Sequence, residues 1–223
     1  QDIEDASMYN ELTNEYVKDA VAKALSQIMY MSHTIDDFRD YFKAESEMVE
    51  FDIAQTIYDT LGLLSAQLTA NDITISLNID GHIVSDSWNE SAQNRIPSTI
   101  IYRGFPNELK QVIMNLIKNA SEAIYCKRDK TGAEYTGTIQ ISLTDQSKMI
   151  EISVADNGCG IPLENQDKIF DPYFTTKGDF KGTGIGLYMS KNIIEDHMKG
   201  RINFVDEKDE TRFIITLPKA SKE

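Results

Sequence analysis

Apolar positions divide the chain into two regimes. Up to about residue 47 there is neither Gly nor Pro, and Val17, Val21, Ala24, Ile28, Met31, Ile35, Phe38 and Phe42 recur in steps of four and three. That 3.5-residue period, held over about 39 Å of helix, predicts a long amphipathic helix with a narrow seam. Such a seam packs in a bundle or dimer, or lies along the helix's own domain. From about Val49 the spacing changes. It predicts a helix over Ile53–Leu68, a strand over Ile73–Ile79, an irregular polar stretch Gly81–Pro97 and a short strand Thr99–Tyr102. Pro106 stands where a helix begins, and Leu109, Val112, Ile113, Leu116, Ile117, Ala120 and Ile124 form its apolar stripe. Strands carrying Ile139, Ile141, Leu143 and Ile150, Ile152, Val154 follow. Then come a helix at about Ile185–Met198 and a closing strand pair, Arg201–Val205 and Arg212–Leu217. The order predicts an α/β sandwich of two layers, a mixed sheet covered by helices on one face. The expected organisation is residues 1–47 as a helical segment and 48–223 as a second domain.

Composition narrows the partners. The chain has 223 residues, with 22 Lys and Arg against 36 Asp and Glu, a formal charge of −14. Most of such a surface repels phosphate backbones and anionic lipid, which argues against nucleic acid. No apolar run in this sequence approaches the ~20 residues of a membrane span, and neither a span nor a signal peptide is expected within it. The first residue is Gln1, so a longer parent protein is expected, and any membrane attachment would lie in its N-terminal part. Cys126 and Cys159 are the only cysteines, too few for a disulfide framework and consistent with a reducing, cytoplasmic compartment.

Three places carry candidate chemistry. Asp156 has the parity of Ile150, Ile152 and Val154 on its strand, so its carboxylate points to the apolar side, and Asn157-Gly158-Cys159-Gly160 follows at once. Such an Asp either opens a solvated turn or waits for a ligand N–H. Asn115 and Asn119, four apart, lie together just beyond the Val112 edge of the Pro106 helix. They either hydrogen-bond to loops or ligate Mg²⁺, a hard cation that takes oxygen ligands. Seven of the twelve glycines fall between Gly158 and Gly200, and Gly182-Thr183-Gly184-Ile185-Gly186-Leu187 runs into a helix, whose free N–H groups suit an anion. It is neither a Walker A loop nor the dinucleotide fingerprint.

In this order the motifs resemble the sensor histidine kinases of the GHKL ATPase superfamily, whose nucleotide domain is the Bergerat α/β sandwich. The matching residues are Asn115-Leu116-Ile117-Lys118-Asn119-Ala120 (N box), Asp156–Ile161 (G1 box), Phe170-Asp171-Pro172-Tyr173-Phe174 (F box) and Gly182–Leu187 (G2 box). They lie in a stretch of likeness from about Val49 to Lys219. The resemblance implies binding of ATP with Mg²⁺, transfer of the γ-phosphoryl to a histidine, and relay to the aspartate of a response-regulator receiver domain. It implies that Asp156 accepts from the adenine amino group and that Asn119 holds Mg²⁺ with help from Asn115. Gly158, Gly160 and Ile161 would border the base. Gly182, Thr183, Gly184, Gly186 and Leu187 would face the phosphates, and Pro162–Lys181 would be a flexible lid. Phe170 and Phe174 would serve nucleotide binding chiefly by packing that lid against the domain. Lys177 is either a phosphate contact or a solvated lid lysine. The helix end Met31–Phe42 resembles the second helix of the family's dimerisation and phosphotransfer domain, implying a homodimer through the N-terminal helix.

Two departures qualify the match. The family's acceptor is a His followed by an acidic residue and, soon after, a Pro. None of His33, His82 and His197 fits, so the acceptor is expected upstream. Glu210-Thr211-Arg212-Phe213 stands where a last glycine box is common. Two other functions compete. A conformational ATPase of the superfamily places a Glu at the position of Asn115 to activate water, and an amide cannot take a proton. A scaffold that binds nucleotide without turnover is the other.

Overall fold

The computed structural model describes residues 13–15, 17–18, 20–22, 24–25, 28, 47–84, 96–132, 135–177, 182–207 and 209–219. Of the N-terminal segment, the described residues from 14 to 28 are helical, and Val17, Val21, Leu25 and Ile28 are 45% to 62% exposed. Met31, Ile35, Phe38, Phe42 and His33 lie outside the described residues, as does the expected coiled coil beyond residue 28.

From Val49 onward the chain forms β1 (Val49–Asp52) and α1 (Ile53–Ala70). Asp52 caps α1 by accepting from the Ala54 N–H at 2.9 Å, and the same oxygen takes the Ile100 N–H at 3.1 Å. Next come β2 (Ile73–Ile79), β3 (His82–Val84), β4 (Ile101–Gly104) and α2 (Pro106–Thr131). Pro106 opens α2 where its missing N–H costs nothing, and Gly132 at φ +101° lets the chain leave it. Then follow β5 (Gly137–Asp145), β6 (Met149–Asp156), the single turn α3 (Leu163–Gln166), α4 (Gly186–Asn192), a π-helical turn Ile193–His197, β7 (Arg201–Glu207) and β8 (Glu210–Pro218).

Six strands form one sheet in the order β3-β2-β5-β6-β8-β7. Only β2 and β5 run parallel, from Ile73 opposite Gly137 to Ile79 opposite Leu143. α1, α2 and the π turn lie on the sheet, with α4 packed against α2, so the α/β sandwich with a mixed sheet stands. Its core joins Leu61, Leu109, Ile113, Leu116 and Ile124 from the helices to Ile141, Ile152 and Ile215 from the strands, all 1% exposed or less. Each such side chain contributes about 1.5–3 kcal/mol by leaving water.

Three local readings are corrected. The strand expected at Thr99–Tyr102 is Ile101–Gly104, paired antiparallel with β1 in a separate two-stranded ribbon. The reason is the cap: Ile100 gives its N–H to Asp52 and its carbonyl to the Ile53 N–H, which leaves pairing to start at Ile101. His82–Val84, inside the stretch read as irregular, pairs with β2. The helix expected over Ile185–Met198 changes to π geometry at Ile193, where the Met198 N–H reaches the Ile193 carbonyl at 3.0 Å. Met198 thereby stays buried with Ile193 and Ile194, and its carbonyl receives the Tyr102 hydroxyl at 3.0 Å.

Candidate functional site

Asp156 ends β6 between Ile139 of β5 and Thr211 of β8, and is 4% exposed. One carboxylate oxygen accepts the Gly158 N–H at 2.8 Å. Burial is the main cause that lifts its pKa to about 6, and the nearby charges of Asp206 and Glu210 add to it. The Gly158 N–H and Lys127 pull the other way. A carboxylate held this far from water, with one hydrogen bond, has unspent accepting capacity.

The turn after Asp156 is pressed onto α2. A Cβ on Gly158 would stand 2.5 Å from that of Ala123, so only glycine fits. The Cys159 N–H donates to the Ala123 carbonyl at 3.0 Å. Lys127 donates to the Asn157 carbonyl at 2.9 Å, and the Tyr135 hydroxyl donates to the same oxygen. Gly160 adopts φ +75°. Beyond it, Asp206 accepts from the Ile161 N–H at 3.2 Å and from the Thr211 hydroxyl at 2.6 Å. Asp206 and buried Thr211 therefore fix the turn from the β7–β8 side. The sequence reading missed both. Thr211 falls in the segment read only as a lost glycine box, and no spacing signals a carboxylate that serves backbone N–H groups.

The G2 box reaches α2 on the same flank. Asn115 donates to the Ser190 hydroxyl at 2.9 Å, and Ser190 donates to the Gly186 carbonyl at 3.0 Å. A Cβ on Gly186 would stand 2.4 Å from the Asn115 amide oxygen. Gly184, at φ +66°, lies against the backbone of Tyr173 and Phe174, so the F and G2 boxes touch. Thr183 accepts the Ile185 N–H at 3.4 Å, and Leu187 is partly buried against the core. Phe170 meets the rings of Phe204 and Phe213 at 6.4 Å each, while partly buried Phe174 packs on the core. Lys177 is paired with Glu122 of α2, a partner the sequence did not suggest. Of the expected lid, residues 178–181 lie outside the described ones.

Asn119 is half-buried on α2 and has no hydrogen-bonding partner among the described residues. No group of three His, Cys, Asp or Glu side chains among them is placed to hold a metal. An unpartnered amide oxygen on this flank fits Mg²⁺, which keeps several waters and takes the rest of its ligands from substrate phosphates. A groove of about 710 Å³ runs along α2 between α1 and α4; Asn115 and Gly186 line it and Asn119 does not.

The Asn115–Gly186 contact can be tested directly. Alanine in an unencumbered helix stabilises by about 1 kcal/mol over glycine. Gly186→Ala is expected to do the reverse, because the new methyl displaces the Asn115 amide from Ser190 at a cost of about 1–3 kcal/mol. Denaturant unfolding measures it. A gain in stability would mean that Asn115 yields freely.

Residues 104–221 match the family model described as "Histidine kinase-, DNA gyrase B-, and HSP90-like ATPase". Sporulation kinase A of Bacillus subtilis is 37% identical over 144 residues, 64% of this chain and 20% of that protein. The signal transduction histidine-protein kinase AtoS of Escherichia coli is 47% identical over 89 residues, 40% of this chain and 13% of that one. The chain thus matches a fifth or less of the length of these two relatives. Among solved structures, the nucleotide-free catalytic domain of histidine kinase ThkA superposes with a TM-score of 0.60 at 29% identity, covering 78% of this chain and 98% of that one. ThkA in complex with the response regulator protein TrrA gives 0.65 at 24% identity, over 97% of this chain and 56% of that one.

Proposed function

Because this chain belongs to the histidine kinase-, DNA gyrase B- and HSP90-like ATPases, we propose that it is the ATP-binding catalytic part of a sensor histidine kinase. It passes the γ-phosphoryl of ATP to a histidine, for relay to a response-regulator aspartate. The observation that carries the reading is the buried Asp156 at the mouth of a turn clamped to α2. A flat base with an amino group meets its unspent accepting capacity there. The neighbours named as histidine kinases, and the regulator bound to ThkA, support the rest.

In this reading Asp156 orients adenine, and Gly158, Gly160 and Ile161 border it. Gly182, Thr183, Gly184, Gly186 and Leu187 bring backbone close to the phosphates, Phe170 holds the lid's base against β7 and β8, and Phe174 packs it on the core. Asn119, with Asn115, would hold Mg²⁺, which when bound neutralises phosphate charge. Lys177 reaches phosphate by leaving Glu122. Asn115 is an amide held by Ser190 and takes no proton, so water is not activated there and the nucleophile is an imidazole. His197 is bonded to Glu108 at 2.9 Å and His82 sits on β3, so the acceptor comes from outside the described residues.

Incubation with γ-labelled ATP, Mg²⁺ and the dimerisation and phosphotransfer helices of a sensor kinase decides the matter. Acid-labile label on a histidine of those helices is expected. Steady release of phosphate to water, with no labelled histidine, would make the protein a hydrolase instead.

The exposed Val17, Val21, Leu25 and Ile28 support a homodimer through the N-terminal helix, since apolar rows left wet favour association. Sedimentation is expected to show concentration-dependent dimers. A protein that stays monomeric when Val21 and Ile28 are intact and concentration is raised to ~100 μM, where weak pairs already form, would contradict this. No helix among the described residues is long and apolar enough to cross a membrane.

A further inference from the structure

The two cysteines, remote in sequence, meet at the seam between α2 and the turn after Asp156. Cys159 is exposed and fixed by its own N–H to the Ala123 carbonyl, one helical turn before half-buried Cys126. Its thiol lies 3.7 Å from the Gly160 carbonyl and neighbours that of Cys126. Cys126 lies on the flank of α2 that also carries Asn115 and Asn119, at positions four and seven residues apart along it. Neither thiol has a part in the proposed phosphoryl transfer. Helix α2 and the turn are otherwise joined here by the Ala123–Gly158 contact and the Lys127 bond to Asn157, which bring the backbones together without crossing them covalently.

We propose that Cys126 and Cys159 form a reversible dithiol–disulfide clasp, closed by a hydroperoxide, that ties the turn to α2 and weakens nucleotide binding. In the first step one thiolate attacks the peroxide, giving a sulfenic acid and releasing the other oxygen as water or alcohol. The second thiol attacks that sulfur, the S–S bond forms and a second water leaves. Two thiols are oxidised and one peroxide is reduced. A low-molecular-weight thiol reopens the clasp by exchange.

The geometry sets both the chemistry and its effect. Neighbouring sulfurs must close to about 2.05 Å, which draws Cys159 along α2 toward Cys126. Gly158 and Gly160, which flank Cys159, move with it, and the Gly158 N–H that supports Asp156 shifts as well. Burial, followed by the neighbouring Cys126, pushes the Cys159 thiol up to about 11, so at neutral pH the pair reacts slowly and answers sustained oxidant. In a reducing compartment such bonds are transient and regulatory. The effect on nucleotide rests on the function proposed above, whereas the bond itself does not.

The experiment treats the whole chain with hydrogen peroxide, maps linked peptides by mass spectrometry and titrates ADP before and after. The expected result is a Cys126–Cys159 cross-link, reversed by dithiothreitol, with ADP affinity lower by about threefold or more while it is closed. Cys126→Ser is expected to bind ADP as the reduced wild type does and to keep that affinity through peroxide treatment. Sulfinic acid on Cys159 beside a free Cys126, dimers linked through Cys159, or a cross-link that leaves ADP affinity unchanged would each overturn the clasp. Reduced protein that does not bind ADP at all would instead overturn the nucleotide site, and a mapped cross-link would then stand without it.

Discussion

Asp156→Asn is expected to abolish measurable ADP binding and, at neutral pH, to make the empty protein harder to unfold. The first effect follows from what the side chain offers a ligand. A buried carboxylate accepts from an amino group, and a hydrogen bond to a charged partner is worth about 1.5–3 kcal/mol. The amide of Asn turns an N–H toward the same ligand, so attraction becomes repulsion, and a loss of about 100-fold in affinity is expected. The second effect follows from burial. The folded carboxyl titrates at about 6 and the unfolded one near 3.8, so between those values the folded state carries a proton that the unfolded state lacks. Stability therefore falls as pH rises through that window, and the loss is complete above about pH 6. Asn keeps the shape and the acceptor for Gly158 without the charge, which removes a penalty on the order of 1–3 kcal/mol. Calorimetry with ADP and denaturant melts at pH 5 and pH 8 measure both. Unchanged ADP affinity, or no gain in stability at pH 8, would remove Asp156 from the site.

Asn119→Ala is expected to weaken binding of ATP strongly when Mg²⁺ is present and hardly at all when it is chelated. The side chain has no hydrogen-bonding partner among the described residues, so its removal is expected to cost the fold little. What it would take away is the oxygen proposed to face Mg²⁺, whose place water would fill without fixing the metal's orientation. A loss of about 10-fold or more, confined to the metal-containing titration, is the expected sign, on the scale seen when support for a metal site is removed. Equal weakening with and without Mg²⁺ would make Asn119 a structural residue. Together the two variants separate the base end of the site from the phosphate end.

The sequence was most legible where side-chain periodicity and loop chemistry coincide. Alternation of Ile150, Ile152 and Val154 already pointed Asp156 inward, because strand parity leaves one choice once the core face is known. Pro106 and the stripe from Leu109 to Ile124 located α2 for the same reason. Legibility failed where one residue's role depends on a partner far along the chain. The start of β4 is set by a carboxylate at Asp52, and the width of the last helical turn by the Tyr102 hydroxyl and the packing of Met198. Neither leaves a local mark. In the site, Asp206, Thr211 and Glu122 escaped because each acts through a contact across elements, and a spacing rule reads only one element at a time. The pairing of Lys177 with Glu122 is a contact of that kind as well.

The lone parallel ladder between β2 and β5 also bears on how the chain reaches this state. Every other ladder of the large sheet except β6–β8 joins strands that follow one another directly. β5–β6 and β7–β8 in particular close over turns of a few residues. Such hairpins form early, since little chain entropy is lost in closing them. The β2–β5 ladder cannot, because β3, β4 and the whole of α2 lie between its two strands. The barrier to folding is thus expected to fall at the docking of α1 and β2 onto a preassembled C-terminal half. That half contains Asp156, both cysteines and every glycine of the G1 and G2 boxes, so the turn that would meet the base can take shape while the N-terminal strands are still searching for their register.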